Sequence, residues 1–167
     1  MKKLLCIVPC ALCLCAPARA GVAIDFYAGL SGGLGGMWAN SNNAASQSYG
    51  AMMGIDIPLI RVEAEYDYLR RTDLNAHVGM LNGYIKMPMP VIKPYIGGGI
   101  GQVFGGEAGS INLDSTTAYQ GMLGVQIEIP AAPIVLDAET RVLYANDILP
   151  GVDMTQWDAR LKLRYMF

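Results

Sequence analysis

The fold class is decided by one stretch of nine residues, Ile60-Arg61-Val62-Glu63-Ala64-Glu65-Tyr66-Asp67-Tyr68. Every charged side chain in it stands at an odd-numbered position, and every even-numbered position is apolar or aromatic. Side chains alternate between two faces along a β-strand, so this segment would have one charged face and one apolar face. On a helix the same pattern would mix charged and apolar side chains on every side. The stretch therefore predicts an amphipathic β-strand.

Two further segments follow the same rule with charges of one parity. In Ile134–Tyr144 these charges are Asp137, Glu139 and Arg141, and in Trp157–Phe167 they are Asp158, Arg160, Lys162 and Arg164. Five weaker segments complete a set of eight: Val22–Gly32, Ser48–Ile57, His77–Met87, Pro94–Phe104 and Thr117–Ile129. Each segment is about ten residues long, which is the length that a tilted strand needs to cross a bilayer. The sequence predicts eight strands.

The connections between these strands differ in character. Short connections that contain proline fall at 58–59, 88–93 and 130–133, and longer polar connections fall at 35–47, 70–76, 105–116 and 145–155. Proline cannot donate a hydrogen bond to a sheet, so it marks strand ends. Alternating short and long connections predict an antiparallel up-and-down meander. An even number of eight strands can close into a β-barrel without exposed edges.

The first twenty residues have the features of a signal peptide. Lys2 and Lys3 precede an apolar stretch over residues 4–15, and Ala18-Arg19-Ala20 offers a small-x-small cleavage site. We therefore predict a signal peptide over residues 1–20 and one barrel domain over residues 21–167. All four cysteines lie in the first segment, so the mature chain is expected to have no disulfide, thiolate metal site or cysteine nucleophile.

Composition excludes several classes of protein. The chain is 53% hydrophobic and 16% charged, yet beyond residue 20 no run of about 20 apolar residues exists that could form a membrane helix. Its net charge is −2, with a pI near 5.3, so we expect no nucleic-acid partner, which would require a basic surface. Without Lys2, Lys3 and Arg19 the remaining chain has nine basic and fourteen acidic residues.

Alternation alone does not say which face points inward, and two barrels are compatible with it. A soluble lipocalin-like carrier would bury the apolar face, whereas a transmembrane barrel would expose that face to lipid. Aromatic residues of the apolar face collect near strand ends, as in the girdles of membrane barrels: Tyr49, Tyr66, Tyr68, Tyr119, Tyr144, Trp157, Tyr165 and Phe167. Glycines share the charged face, where a narrow lumen needs small residues. These features favour the transmembrane barrel.

Several motifs resemble the small outer-membrane β-barrel family of Gram-negative bacteria, the opacity-protein and OmpX-like group. Arg61 to Tyr66 is similar to the third-strand pattern of that family, and Pro94-Tyr95-Ile96-Gly97-Gly98-Gly99-Ile100-Gly101 is similar to its fifth strand. Leu81-Asn82-Gly83-Tyr84 and Ala118-Tyr119-Gln120 resemble fourth- and sixth-strand signatures. The resemblance implies an outer-membrane location, contact with outer-membrane lipids, and recognition by the outer-membrane assembly machinery through the terminal Phe167.

The charged parity defines a candidate polar network inside the barrel. We expect these charges to pair with one another, because an isolated buried charge is very costly. The network consists of Arg61, Glu63, Glu65, Asp67, Glu128, Asp137, Glu139, Arg141, Asp158, Arg160, Lys162 and Arg164. Asp25, Asp56, Lys86, Asn82, Gln120 and Gln126 share the same face.

The sequence offers no sign of catalysis, and we expect no catalytic, cofactor or metal site. The lone histidine, His77, has no local serine partner such as the His-x-Ser of lipid-A deacylase barrels. An enzyme embedded in the barrel stays open as an alternative, as does the lipocalin-like carrier. A wide pore is not expected, since porin channels need about sixteen strands. We predict a structural and surface-interaction role, exerted by external loops at 38–43 and 105–114, for a ligand that the sequence does not identify.

Overall fold

The structure is a computed structural model that describes residues 24–39, 42–72, 74–108, 111–112, 115–129, 132–149 and 152–167. The predicted signal peptide lies outside these residues. Among them no helix is long and apolar enough to cross a membrane. The described residues form nine strands: β1 (Asp25–Ala39), β2 (Asn42–Asp56), β3 (Ile60–Arg71), β4 (Leu74–Lys86), β5 (Ile92–Ala108), β6 (Ile111–Asn112), β7 (Thr116–Glu128), β8 (Ile134–Leu149) and β9 (Val152–Met166).

Eight of these strands form a closed antiparallel barrel. Each long strand pairs with the next long strand along the chain, and β1 pairs with β9 to close the ring. The two-residue strand β6 pairs only with the end of β5 and does not belong to the wall. The predicted eight-stranded up-and-down β-barrel is confirmed.

The stagger of the barrel can be followed through its paired residues. A walk around the ring from Gly29 passes, in order, through Met52, Glu65, Met80, Gly101, Ala118, Ala145 and Met154 and arrives at Ala39. One circuit therefore ends ten residues further along β1. Such a stagger requires strands that tilt strongly against the barrel axis, typically by about 35–45°. Residues far apart in sequence are thereby brought to one level of the lumen.

The two ends of the barrel differ. At the end that we name the proline end, short connections at 57–59, 87–91 and 129–133 join the strands, and the chain terminus lies beside β1, where the Phe167 amide donates to the Phe26 carbonyl over 2.8 Å. At the opposite end, which we name the extended end, the ladder of β1 and β2 continues to the pair Ala39–Asn42.

The prediction of long polar loops at the extended end is wrong. Most of the residues assigned to loops at 35–47, 70–76, 105–116 and 145–155 belong to strands, including Trp38 in β1 and Asn43 in β2. Polar outward residues suggested loops, but a strand that rises out of a membrane also needs polar residues on its wetted face. Continued pairing satisfies backbone groups that a loop would leave to water.

The outer surface carries a belt of exposed apolar side chains. Leu30, Leu81, Ile96, Leu123 and Leu161 are each more than half exposed. The exposed charged side chains in the described part of the strands are Arg70 and Asp153, both near the extended end. A surface of this kind would aggregate in water and is the expected surface of a barrel in lipid.

Polarity inverts along the barrel. On five strands an outward aromatic residue is followed, toward the extended end, by a polar outward residue. These polar residues are Gln47, Arg70, Thr117, Asn146 and Thr155. Ser46 and Gln156 are buried polar residues at this level, but most inward residues there are apolar. They form a buried apolar cluster of Met37, Leu69, Leu74, Ala76, Val78, Met80, Val103, Ala118, Leu143, Ala145, Ile148 and Met154. The extended end is thus built like a soluble barrel, with a dry interior and a wetted exterior.

Candidate functional site

The lumen below the apolar cluster is filled by polar side chains. Eleven of the twelve residues of the predicted network are at most 4% exposed, and Glu128 stands half-exposed at the proline end. Asp56, Lys86, Asn82, Gln120 and Gln126 of the same face are also buried. Asp25 is half-exposed at the proline end.

Two arginines at mid-height connect strands on opposite sides of the barrel. Arg160 Nε donates to Glu139 Oε1 over 2.7 Å, and its Nη1 lies 2.7 Å from Glu65 Oε1. Arg141 donates from Nε and Nη2 to both oxygens of Asp158, over 3.1 and 2.7 Å, and also pairs with Asp67. Because guanidinium groups have five donors in a fixed plane, each one can tie several carboxylates together.

A second layer lies nearer the proline end. Arg164 holds Asp137 through Nε and Nη2 at 2.6 and 2.9 Å and reaches Asp56 at 3.0 Å. Lys162 Nζ lies 2.9 Å from Glu63 Oε1. These bonds join β9 to β2, β3 and β8 across the lumen, so the polar filling links strands that are not adjacent in the wall.

Three tyrosines complete this layer, and the sequence reasoning missed them. Tyr27 and Tyr84 donate to Glu63 over 2.7 and 2.8 Å, and Tyr95 donates to Glu139 over 2.9 Å. The guanidinium of Arg61 lies 3.9 Å from the centre of the Tyr84 ring, a cation–π contact. Their position on the charged parity of their strands was the signal that could have identified them.

Glycines of the inner face make room for these large side chains. A Cβ atom at Gly124 would lie 2.6 Å from the Tyr95 hydroxyl, and one at Gly54 would lie 2.6 Å from the Tyr27 hydroxyl. Outward glycines such as Gly83 and Gly121 face open space instead. A large residue on one strand thus lies over a glycine of its neighbour, which is how a narrow eight-stranded lumen can be filled.

The residues of the predicted aromatic girdle point outward. Six of them are 39–51% exposed, namely Tyr49, Tyr66, Tyr119, Tyr144, Trp157 and Phe167, while Tyr68 and Tyr165 are half-buried. Trp38 and Phe104, which the sequence reasoning did not include, point outward beside them. The Trp38 ring lies 6.4 Å from that of Trp157, and the Phe104 ring lies 5.9 Å from that of Tyr66.

His77 lies in the outer aromatic layer on β4. Its Nδ1 is hydrogen-bonded to the Tyr66 hydroxyl at 2.7 Å, and its ring lies 5.1 Å from the Tyr68 ring. No serine or carboxylate contacts it among the described residues. No group of three or more histidine, cysteine, aspartate or glutamate side chains in the described part of the chain could hold a metal ion.

An open cavity of about 460 Å³ lies at the proline end. Its polar lining includes Lys93 paired with Glu128 at 2.5 Å, Lys86 paired with Asp56, and Asp25. These charges largely neutralise one another, so the cavity is the wetted mouth below the polar filling.

Comparisons with known proteins identify the fold. Neither a protein-family model nor a curated protein sequence matches the chain. Among solved structures, Neisserial surface protein A superposes with a TM-score of 0.68 at 16% identity, over 83% of this chain and 96% of that one. The chain has the fold of the small outer-membrane β-barrels. With the apolar belt, this fold confirms the outer-membrane location predicted from the sequence.

Two further barrels are similar. The N-terminal barrel domain of Pseudomonas aeruginosa OprF has a TM-score of 0.58 at 13% identity, over 83% of this chain and 97% of that one. The outer membrane enzyme PagL has a TM-score of 0.52 at 15% identity, over 80% of this chain and 97% of that one. One of these similar barrels is an enzyme, so the fold alone does not decide function, which has to be argued from the site.

Proposed function

We propose that this small outer-membrane barrel has a structural and surface-interaction role, with its polar lumen as a rigid filling and its extended end as the contact surface. The observation that carries the proposal is the inversion of polarity. In the part of the chain that the structure describes, a lumen filled by an ion-pair network and then by an apolar cluster leaves no open path for a substrate. The outward face of the extended end is the part of the molecule that water-borne partners would reach.

In this proposal the extended end faces the outside of the cell. Barrels of this type have short periplasmic turns, and the short proline connections and the chain terminus lie together at the other end. The terminal Phe167, 46% exposed beside Tyr165, would be available to the assembly machinery. Phe167→Ala should then lower the amount of barrel assembled in cells while purified protein refolds normally. Equal assembly of both chains would contradict this role for Phe167.

Single cysteines test the location and the orientation together. Thr72 is exposed at the extended end and Pro90 at the proline end, and cysteines of the precursor occur only within the predicted signal peptide. A membrane-impermeant maleimide applied to whole cells should label Thr72→Cys and spare Pro90→Cys, with both labelled after lysis. The protein should fractionate with membranes and migrate faster on gels unheated than heated. A detergent-free soluble protein would instead support a lipocalin-like carrier.

The purified protein can also be tested for catalytic activity. Purified barrel incubated with phospholipid or lipid A should leave both unchanged. Turnover abolished by His77→Ala would contradict the non-catalytic role and revive an enzyme embedded in the barrel.

A further inference from the structure

The outer aromatic layer contains a tyrosine whose hydroxyl is bonded to a nitrogen base. Tyr66 on β3 is 43% exposed, and its hydroxyl lies 2.7 Å from Nδ1 of His77 on β4. The hydroxyl of Tyr49, another outward tyrosine, is bonded instead to the side-chain oxygen of Gln47, which is not a base. Because an imidazole nitrogen can accept a proton near neutral pH, the Tyr66 hydroxyl stands beside a group that can take its proton.

The backbone fixes this pair at a β-bulge. The register between β4 and β5 shifts between Ala76 and Val78, so His77 is the residue at the shift. On the facing strand Gly105 has a φ of +129°, which side chains other than that of glycine rarely allow, and a Cβ there would lie 4.0 Å from Cδ2 of His77. Bulges change the direction of a side chain and recur beside functional sites. The orientation of His77 toward Tyr66 is thus built into the sheet.

Aromatic rings flank the pair on both sides. The Phe104 ring lies 5.9 Å from that of Tyr66, and the Tyr68 ring lies 5.1 Å from that of His77. Gly79 leaves room for this arrangement, because a Cβ there would lie 2.9 Å from the Phe104 ring. The exposed part of Tyr66 therefore lies in an aromatic surface and not among charged side chains.

The cluster lies where the outer surface changes from apolar to polar. Toward the proline end it is followed by the exposed side chains of Val62 and Leu81. Toward the extended end it is followed by Arg70 and Asn75, which pair in the sheet. A ligand held at the Tyr66 hydroxyl would have an apolar surface on one side and a wetted one on the other.

Ferric haem has the chemistry that such a site would select. Its macrocycle is a flat apolar ring with two carboxylates along one edge, and tyrosine oxygen is one of the axial ligands by which proteins hold haem iron. We propose that Tyr66 is an axial ligand for ferric haem at the membrane surface, with His77 as the base that takes the phenolic proton. The rings of Phe104 and Tyr68 line the porphyrin.

The coordination step is balanced within the site. The phenolic O–H bond of Tyr66 breaks, its oxygen forms a bond to iron, and the proton passes to Nδ1 of His77. The iron stays ferric, so no electron donor or acceptor is needed. Because the partner of a metal ligand orients it and raises its basicity, His77 is a positioning residue. The inference gives a ligand to the proposed surface-interaction role and rests on that role only for the side of the membrane from which haem would come.

Purified protein provides the test. Refolded full-length mature barrel without a histidine tag would be titrated in neutral detergent micelles with iron(III) protoporphyrin IX and followed by its Soret absorption and electron paramagnetic resonance. We expect saturable one-to-one binding with the high-spin ferric spectrum of tyrosinate-bound haem. Tyr66→Phe, which removes only the ligating oxygen, should lose that spectrum and weaken binding by more than about tenfold. Tyr119→Phe is the matched control, since Tyr119 is outward and 49% exposed on β7, and it should bind like the unaltered protein.

A second variant tests the base. His77→Leu should weaken binding by about tenfold, as expected when the partner of a metal ligand is removed. Its affinity should also rise with pH more steeply than that of the unaltered protein, because the phenolic proton must then be released to water. Equal pH dependence of the two proteins would contradict the role of His77. Heat-modifiable gel migration verifies that each variant folds.

Iron-free protoporphyrin IX separates coordination from adsorption, and it should bind weakly and equally to the unaltered protein and to Tyr66→Phe. Equal affinity of these two proteins for the iron porphyrin would overturn the proposal, as would equal losses in Tyr66→Phe and Tyr119→Phe. The orientation of the barrel is judged separately by the labelling of Thr72→Cys from outside the cell. Failure of haem binding with that labelling intact would therefore remove the ligand and leave the proposed orientation standing.

Discussion

Single residues of the lumen are tied into the fold by several partners each, and Arg160 shows this most clearly. It contacts Glu65, Asp67 and Glu139 from the third and eighth strands, and all four side chains are fully buried. Removing one partner of a buried ion pair leaves uncompensated charge in a region of low dielectric constant. The same substitution at an exposed arginine that has no ion pair with a described residue should change the free energy of unfolding little.

Arg160→Ala should therefore lower the free energy of unfolding by about 3–5 kcal/mol. Arg70→Ala is the matched control and should change it by less than about 0.5 kcal/mol. Both values can be measured from urea unfolding of the refolded barrel, followed by its heat-modifiable gel migration. Equal losses for the two variants would contradict the assigned role of the network.

β7 has one glycine that faces the lumen and one that faces outward, so the effect of a larger side chain on each face can be compared within one strand. Gly124 faces inward under Tyr95, and Gly121 faces outward into open space. Gly124→Val should cost about 1–3 kcal/mol through overpacking. Gly121→Val should be neutral or stabilising, because glycine weakens a strand interior and valine favours one. The same unfolding assay applies, and a larger loss at Gly121 would show that the inward and outward faces were assigned incorrectly.

At the scale of the strands, the important feature is that each one changes its pattern along its length. β3 has charged inward residues up to Asp67 and then the buried Leu69, with Arg71 half-exposed at the rim, while its outward residues change from apolar to Arg70. The change follows the solvent outside, which is lipid over most of the strand and water at the extended end. A strand that crosses this boundary has to exchange the polarity of its two faces.

Leu143→Asn tests this exchange on β8. Leu143 is fully buried in the apolar cluster, so the variant leaves a cavity and places an amide in this layer opposite Gln156. We expect a loss of at least about 2 kcal/mol in the free energy of unfolding. Thr155→Asn on the wetted outer face of β9 should be nearly neutral. An unaffected Leu143→Asn would indicate that the interior of the extended end is hydrated.

The whole molecule is a plugged barrel. Seven buried carboxylates and six buried cations fill the described lumen. The apolar cluster lies between them and the extended end. Ions would have to cross a paired network and then a dry layer, each at high cost in free energy. The closure by eight strands leaves just enough room for side chains.

We therefore expect no stable conductance from purified barrel in planar bilayers. A variant in which Leu143 and Met154 are both changed to Ala removes bulk from the apolar layer but keeps the ion pairs. It should show no stable conductance either. Sustained large single-channel steps from the unaltered protein would contradict the filled lumen.

Alternation of side chains was enough to predict the strands. The barrel followed from the number of strands and their connections, and its inside-out character followed from the positions of aromatic residues and glycines. The charges at 61, 63, 65 and 67 share one face whatever the rest of the chain does, because that relation depends only on local backbone geometry. The same parity predicted which charges would share the lumen. It also misled at the extended end, where polar outward residues suggested loops and the structure continues the strands.

Only the tertiary structure decided which of these groups meet. Arg141 and Asp67 are separated by 74 positions in the sequence, and they become partners because the closed ring returns to β1 ten residues further along. The stagger also decides that the apolar cluster lies at one end of the lumen. Parity is a local property of a strand, whereas partnership across a lumen depends on the register of every strand between the two residues.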